Sequence, residues 1–220
     1  MDAKSIKWIG HAGFIVECGS QVLAIDPFRV EAKPEKGADI VLVTHPHFDH
    51  CSREDIIKVA KRDATIIAPK GCIEGDAGLR VEISKPGFKK DFEGLSIEAV
   101  PAYNTKPERL SYHPRSNGWV GYVVGYNGAR LYHAGDTDAI PEMAALGEIE
   151  YALLPIGGTY TMDVEEAIGA AKTIGARHTV PMHYKNLLGK EGSKAVESKF
   201  RSEVEGALIM PEIQKPTYSF

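Results

Sequence analysis

Short apolar runs recur along the chain and are separated by turn residues, a pattern that predicts many strands. The run DIVLVT at residues 39–44 is apolar in its middle, as in a strand that is buried on both faces. Asn127 and Gly128 form the strongest short hairpin signal. The predicted strands are residues 5–9, 14–18, 22–25, 39–44, 65–68, 80–83, 95–100, 119–126, 130–133, 151–155, 178–182 and 207–210.

Three stretches have helical patterns, over residues 53–61, 164–174 and 193–204. The first two begin with a capping spacing, in which one side chain can bond the backbone three residues away. Between the strands lies a long polar stretch, residues 102–118, which predicts a functional loop. Strands first, then strands mixed with helices, predict an α/β (α+β) fold whose sheets are covered outside by helices.

Composition and charge limit the kinds of protein that this chain can be. With 220 residues, 43% hydrophobic and 25% charged, the chain is typical of one globular domain spanning residues 1–220. A net charge of −4 provides no long-range attraction for nucleic acid or an anionic membrane. Three cysteines without a CxxC pair, and an N-terminus without the apolar core of a secretory signal, lead us to expect a cytoplasmic protein.

Three histidines and an aspartate lie within six residues, HPHFDH at 45–50, directly after the apolar run 39–44. In a loop that leaves a strand, alternate side chains can converge on one point. Imidazoles with a carboxylate suit zinc or another borderline divalent ion. The cluster therefore predicts a metal site.

Several further motifs occur in order along the chain: GHAGF at 10–14, IDP at 25–27, HAGDTD at 133–138 and PMHY at 181–184. Together with HPHFDH, they make the sequence resemble the metallo-β-lactamase superfamily. Within it, the chain resembles small zinc-dependent hydrolases near the ascorbate-6-phosphate lactonases and the N-acyl-phosphatidylethanolamine phospholipase D branch. The resemblance implies a four-layer αβ/βα sandwich with metals at the edges of the sheets.

The resemblance also implies two metal sites, filled by two divalent ions, with zinc expected first and manganese or iron as alternatives. His45 and His47 would belong to the first site, and Asp136 would bridge the two. The second site would use Asp49, His50 and His183. Asp49 and Asp136 would be catalytic, because Asp49 can position the attacking water and a bridging carboxylate screens the repulsion between two cations.

One position departs from the family pattern. Relatives have a third histidine for the first site after the motif Pro-Ala-x, where this chain has Asn104. Either Asn104 faces the metal weakly, or His113 in the long loop supplies the missing imidazole. Asn104 and Tyr184 are also candidate substrate contacts.

Three more residues are candidates for supporting the metal ligands. His11 is either a buried hydrogen-bonding histidine or a group that supports the ligands, and we favour the second. Asp26 is its candidate partner in orienting a ligand imidazole. His133, three residues before Asp136, is interpreted in the same way.

The predicted function is metal-dependent hydrolysis, in which a metal-bound hydroxide attacks an ester, lactone or phosphodiester. Lys106, Arg109 and Arg115 in the long loop suggest a small anionic substrate. A non-catalytic metal-binding or sensor protein of the same fold is the alternative, and a di-iron redox protein is a weaker one. We expect no nucleic-acid or membrane partner, and edge strands leave room for a homo-oligomer.

Overall fold

The computed structural model describes residues 1, 3–31, 34, 36–73 and 79–213, which form two six-stranded sheets. The first sheet contains, in spatial order, β1 (Ile6–Gly10), β2 (Gly13–Cys18), β3 (Gln21–Ile25), β4 (Ala38–Leu42), β5 (Ala60–Pro69) and β6 (Arg80–Ser84). The second contains, again in spatial order, β7 (Lys89–Phe92), β8 (Leu95–Pro101), β9 (Val120–Tyr126), β10 (Ala129–His133), β11 (Tyr151–Pro155) and β12 (His178–Met182).

Each sheet begins with antiparallel hairpins and ends with parallel strands. In the first sheet, β1 to β3 pair antiparallel, and β3 to β6 pair parallel. In the second, β7 to β10 pair antiparallel, and β10 to β12 pair parallel. The carboxyl ends of the parallel strands meet at one edge of their sheet, and rigid backbone there can hold side chains over a cleft.

Side chains along the strands of the first sheet alternate between its two faces, and each face packs into a different core. Trp8, Phe14 and Leu23 belong to the core shared with the second sheet, whereas Ile9 and Ile15 belong to a separate core on the outer face. Successive side chains of a strand point to opposite faces, so this sheet is buried on both sides. The shared core lies between the sheets and holds them together.

Three helices cover the outer faces. α1 (Arg53–Val59) joins the outer core of the first sheet through Ile56 and Val59. α2 (Val164–Ile174) and α3 (Lys185–Glu203) contact β11 and β12 of the second sheet. The predicted αβ/βα sandwich is therefore confirmed. Within the described part of the chain, no helix combines the length and apolarity needed to cross a membrane.

Local predictions hold best where capping and turn residues decide the structure. Asp163 caps α2 and forms a reciprocal capping box with Glu166. The Asn127–Gly128 hairpin joins β9 to β10, with φ of 48° and 77° at the two turn residues. Both positive angles match a tight hairpin turn.

Two helix boundaries and two strands differ from the predictions. The first predicted helix ends at Val59, because Ala60 is extended and begins β5. The last helix begins at Lys185 and bends at Gly189, whose φ of 63° is not helical. Residues 207–210 make only one bridge, from Ala207 to Thr179. The strand β7 was missed because its sequence KKDF carries three charges.

Candidate metal centre

The candidate ligands converge from the strand ends of both sheets. The HPHFDH segment follows β4, Asp136 follows β10, and His183 directly follows β12. The Val120 backbone N–H donates to the carbonyl of Thr44 at 3.2 Å and joins the two sheets beside this point. The fold therefore places side chains that are far apart in sequence in one cluster.

Three imidazoles form the first group. One ring nitrogen each of His45, His47 and His113 lies within 4.8 Å of the others. His45 Nε2 and His47 Nδ1 are 3.0 Å apart. His113 is buried although it comes from the long loop. The structure thus brings His113, rather than Asn104, to the position of the third imidazole.

Asp49, His50 and His183 form a second group, which also includes His11. The Asp49 Oδ2 atom lies 3.7 Å from His183 Nε2 and 2.9 Å from His11 Nε2. His50 and His183 stack with ring centroids 5.2 Å apart. His11 contacts the carboxylate of a candidate ligand directly, in the supporting position that the sequence favours.

Asp136 lies between the two groups. Its Oδ2 atom is 3.4 Å from His113 Nε2 and 3.3 Å from His183 Nε2, and its Oδ1 atom is 3.4 Å from His50 Nε2. One carboxylate therefore faces ligands of both sites. This is the geometry that a bridging ligand requires.

Unpaired buried atoms show that this cluster fits metal ions. The Nε2 atoms of His50, His113 and His183, and Oδ1 of Asp136, are buried without a hydrogen-bond partner. Buried polar atoms in proteins nearly always have partners. Imidazole nitrogens and carboxylate oxygens are donors that zinc and similar divalent ions prefer. The residues present thus fit divalent metal ions.

Asn104 positions His113. Its Oδ1 atom accepts hydrogen bonds from the backbone N–H of His113 at 3.1 Å and from His113 Nδ1 at 2.8 Å. Its Nδ2 atom donates to Asp138 and to the carbonyl of Tyr160. Both ends of the amide are occupied, so the proposed direct contact of Asn104 with metal or substrate is wrong. Asn104 instead turns His113 Nε2 toward Asp136.

Asp26 performs the same task for His50. The Asp26 carboxylate is fully buried and lies 2.7 Å from His50 Nδ1. It also accepts hydrogen bonds from the backbone and the hydroxyl of Thr44, at 2.8 and 2.6 Å. A carboxylate on one ring nitrogen fixes the tautomer and direction of a ligand imidazole.

His133 fixes backbone rather than a ligand ring. Its Nε2 atom lies 2.8 Å from the carbonyl of Ala12, and its Nδ1 atom accepts the Gly135 N–H at 3.1 Å. These bonds connect the turn between β1 and β2 to the segment that carries Asp136. His133 therefore supports Asp136 through the main chain.

Three site residues have left-handed backbone. His11, Asp26 and His183 have φ of 52°, 43° and 59°. Such conformations cost side-chain-bearing residues about 1–3 kcal/mol each and concentrate at functional sites. The His183 N–H donates to the His11 carbonyl at 2.9 Å, which couples two of these turns.

The electrostatics keep the carboxylates charged. Burial opposes the charge of Asp136, but His183 and His50 outweigh burial and hold its pKa well below the usual range. Burial, reinforced by His183, lowers the pKa of His11 to about 4. Burial also lowers the pKa of His45. The carboxylates Asp136 and Asp26 outweigh burial at His50 and hold its pKa well above the usual range. Charged carboxylates beside imidazoles form a suitable donor set for divalent cations, which bind in place of the imidazole protons.

Tyr184 does not reach the cavity. Its side chain is fully buried, stacks on Trp8 with ring centroids 5.8 Å apart, and donates its hydroxyl to Glu197. The predicted substrate contact is wrong, because the backbone turn at His183 directs the next side chain into the core. Tyr184 instead anchors α3 to the first sheet.

The three cations of the long loop, Lys106, Arg109 and Arg115, also point away from the cavity. Arg109 is buried and forms a forked pair with Glu166 on α2, at 2.8 and 2.9 Å, and Lys106 contacts the same carboxylate. Arg115 pairs with Glu142 at 3.0 Å. In the described part of the chain, none of these three cations lines the cavity beside the metal centre. They hold the loop in place instead of facing a substrate.

A cavity of about 520 Å³ opens over the centre. Beyond the candidate ligands and His11, its wall contains side chains that the sequence did not single out: Phe48, Tyr112, Tyr160, Asn186 and Leu187. Their presence in one wall depends on tertiary structure, since they come from four separate segments: the segment after β4, the long loop, the segment before α2, and α3. Two of them carried a signal in the sequence, because Phe48 lies inside HPHFDH and Tyr112 lies inside the predicted functional loop, residues 102–118.

Comparisons with known proteins identify the family of this chain. A family model described as a β-lactamase superfamily domain matches residues 5–183. The chain belongs to the metallo-β-lactamase superfamily. The superfamily predicted from the motifs is confirmed, while the finer placement near the lactonases stays a prediction.

Two similar relatives are archaeal proteins named UPF0173 metal-dependent hydrolases. The chain is 36% identical to the one from Thermoplasma volcanium over 233 residues, which covers 98% of the chain and 99% of the relative. It is 37% identical to the one from Thermococcus kodakarensis over 193 residues, which covers 81% and 84%. The names of these relatives agree with the hydrolase class predicted from the sequence.

Solved structures show the same fold. A crystal structure from Parabacteroides distasonis has a TM-score of 0.79 and 33% identity, covering 95% of this chain and 93% of that one. The structure of Igni18, a metallo hydrolase from Ignicoccus hospitalis, has a TM-score of 0.73 and 25% identity, with 98% of each chain covered.

Proposed function

We propose that this metal-dependent hydrolase uses two divalent ions, zinc first among them, to cleave an ester, lactone or phosphodiester bond in a small molecule. The observation that carries the proposal is the position of Asp136, within 3.4 Å of unpaired ligand nitrogens from both groups. A structural site for one ion would need no such shared carboxylate.

When bound, two ions of this kind supply an activated water and a Lewis acid that polarises the scissile group. The chain's own contribution is to hold the ligands and to orient the reactants. Asp26 and Asn104 fix the directions of His50 and His113. The cavity above them admits a substrate of limited size.

Asp49 is the residue best placed to orient the attacking water. Its carboxylate lines the cavity, and one oxygen contacts His11 Nε2 at 2.9 Å. Burial opposes its charge, but the hydrogen bond with His11 and the nearby rings of His183 and His50 hold the pKa of Asp49 well below its usual range. A carboxylate that stays charged accepts a hydrogen bond from water and directs it.

The anionic substrate expected from the sequence has weak support, because the three loop cations pair with Glu166 and Glu142. The cytoplasmic location, the single domain over residues 1–220, the absence of nucleic-acid and membrane partners, and the homo-oligomer stay predictions.

The test is elemental analysis of the purified protein together with turnover. We expect about two zinc or manganese ions per chain. We also expect hydrolysis of at least one member of a panel containing a p-nitrophenyl ester, a lactone and bis(p-nitrophenyl) phosphate. Chelation should abolish that turnover, and added zinc should restore it.

Other outcomes distinguish the alternatives. Two bound ions without turnover of any hydrolysable compound in a broad panel would favour the metal-binding or sensor protein. Iron as the dominant metal, with redox activity, would favour the di-iron alternative. A metal-free protein that binds no added zinc would overturn the proposal.

A further inference from the structure

The cavity wall outside the metal centre is mostly aromatic and aliphatic and carries no charged side chain among the described residues. It consists of Phe48, Tyr112, Tyr160 and Leu187, with Asn186 as the one amide. Ligand cavities typically combine apolar walls with a few polar groups that fix orientation. Here the polar groups other than the candidate metal ligands and His11 are the Asn186 amide and the hydroxyls of Tyr112 and Tyr160.

The aromatic side chains of this wall are partly exposed to solvent, which is unfavourable for large apolar groups. Phe48 is 67% exposed, and Tyr112 and Tyr160 are 38% and 39% exposed. Exposed large apolar groups that cluster in one place commonly mark a binding surface. Their position at the mouth of the metal centre therefore indicates contact with a substrate.

The rings are held in place before any ligand arrives. Tyr112 and Tyr160 meet edge to face, with centroids 4.9 Å apart and planes at 90°. Phe48 makes the same kind of contact with Phe28, at 5.8 Å and 74°. Edge-to-face pairs are a preferred geometry of aromatic rings, so a planar ring of a ligand extends the arrangement without rearranging it.

The charges near the cavity argue against an anionic group at this position. Lys106 and Arg109 are tied to Glu166, and Arg115 is tied to Glu142. The charged side chains in the described cavity wall, apart from the imidazoles, are the carboxylates of Asp49 and Asp136. Any anion not bound to the metals would face apolar rings and lose its hydration.

We infer that the cavity selects substrates in which the scissile bond is joined to an uncharged aromatic group, which packs against Phe48, Tyr112 and Tyr160. This inference rests on the proposed hydrolase function and names the substrate class for that same site. Tyr112 and Tyr160 are then specificity-determining residues, while the candidate metal ligands serve the reaction itself.

The test compares two aryl esters on zinc-loaded protein: methyl 4-acetoxybenzoate, which is neutral, and 4-acetoxybenzoate, in which a carboxylate replaces the methyl ester. After correction for spontaneous hydrolysis, we expect kcat/KM to be at least about tenfold higher for the neutral ester. The difference should lie in a lower KM for the neutral ester, with similar kcat for the two. Tyr112→Ala should lower kcat/KM for the neutral ester by about tenfold, the scale of losing one buried ring contact. Tyr112→Phe should retain it.

Ile57→Ala is the matched control, because Ile57 is similarly exposed (45%) but lies on α1 outside the cavity wall. It should change neither substrate's kinetics. Equal kcat/KM for the two esters, unaffected by Tyr112→Ala, would overturn the inference while leaving the hydrolase proposal intact.

A binding measurement separates the two proposals. The amides methyl 4-acetamidobenzoate and 4-acetamidobenzoate resemble the two esters, and ligand-observed NMR reports their binding without turnover. Preferential binding of the neutral amide, weakened by Tyr112→Ala, supports the aromatic specificity even if no ester is hydrolysed. No preference between the amides contradicts it.

Discussion

At the scale of single residues, Asp136 connects the two ligand groups through contacts of 3.3–3.4 Å with His50, His113 and His183. We expect Asp136→Ala to lower zinc content from about two ions per chain to below one and to abolish turnover, because the shared charge is lost. Elemental analysis and kinetics on the same preparation check this prediction.

Asp91→Ala is the control, because Asp91 is an exposed carboxylate on β7, away from the centre. It should keep both metal and activity. Full activity of the Asp136→Ala variant with both ions retained would contradict the bridging role.

His113 and Asn104 give a second residue-scale prediction. His113→Ala should remove about one ion per chain, since His45 and His47 alone make an incomplete site. Asn104→Ala should weaken zinc binding at the same site by about 10- to 100-fold, because the orienting hydrogen bonds are lost. Metal titration with a competing chelator measures both effects.

Two other results would contradict these roles of His113 and Asn104. If His113→Ala keeps two ions and raises only KM, then His113 contacts the substrate. If Asn104→Ala binds zinc as tightly as the native chain, the positioning of His113 by Asn104 has no effect on the metal.

At the scale of secondary-structure elements, the segment between β10 and Asp136 depends on close backbone packing. Gly135 has a φ of 64°, and a Cβ atom there would lie 2.9 Å from the carbonyl oxygen of Val120. Gly135→Ala should therefore lower the free energy of unfolding by at least about 1–3 kcal/mol, the scale of a strained backbone position, and displace Asp136. Urea unfolding and zinc content measure the two effects.

Gly169→Ala is the matched control, because Gly169 lies inside α2 with open space where its Cβ would be. It should stabilise the protein by about 0.5–1 kcal/mol. Equal effects of the two substitutions would contradict the role of close packing at Gly135.

The long loop is attached to α2 through a charge cluster. Partial burial opposes the charge of Glu166, but Arg109 and Lys106 outweigh it and lower the pKa of Glu166 to about 2, from an ordinary 4.5. A lowered folded-state pKa stabilises the fold fully above the ordinary pKa and loses this effect as pH falls toward the folded value.

We therefore expect Glu166→Gln to destabilise the protein by about 1–3 kcal/mol at pH 7, because buried Arg109 loses one of its two carboxylate partners and keeps only Asp138. The difference from the native chain should shrink between about pH 4.5 and pH 2. Urea unfolding across pH measures it, and a difference that stays constant down to pH 2 would contradict the electrostatic explanation.

At the scale of the whole molecule, metal binding and stability are coupled, because the ligands come from both sheets. A ligand present at about 1,000 times its dissociation constant adds roughly 4 kcal/mol to stability. For a chain of this size, chelation should then lower Tm by about 10 °C. Calorimetry with and without a chelator measures the shift, which should be much smaller for Asp136→Ala.

Local sequence signals predicted most of the architecture. Alternating and continuous apolar runs located nearly all of the strands, because side-chain direction has a fixed period in a strand. Capping residues located the start of α2, and the Asn127–Gly128 pair located a hairpin. The strand β7 was not predicted, because its charged sequence has no apolar pattern and its pairing with β8 is visible only in the structure.

The motifs and their order along the chain also identified most of the candidate ligands and the superfamily, because residue type and spacing can be seen in the sequence itself. Only the tertiary structure decided that His113 completes the first group and that Asn104 orients it, because their contact depends on how the long loop folds. It likewise turned Tyr184 into the core and assembled the aromatic wall from three segments. Sequence patterns determine local conformation and residue chemistry, whereas the distances between remote side chains depend on the packing of the whole chain.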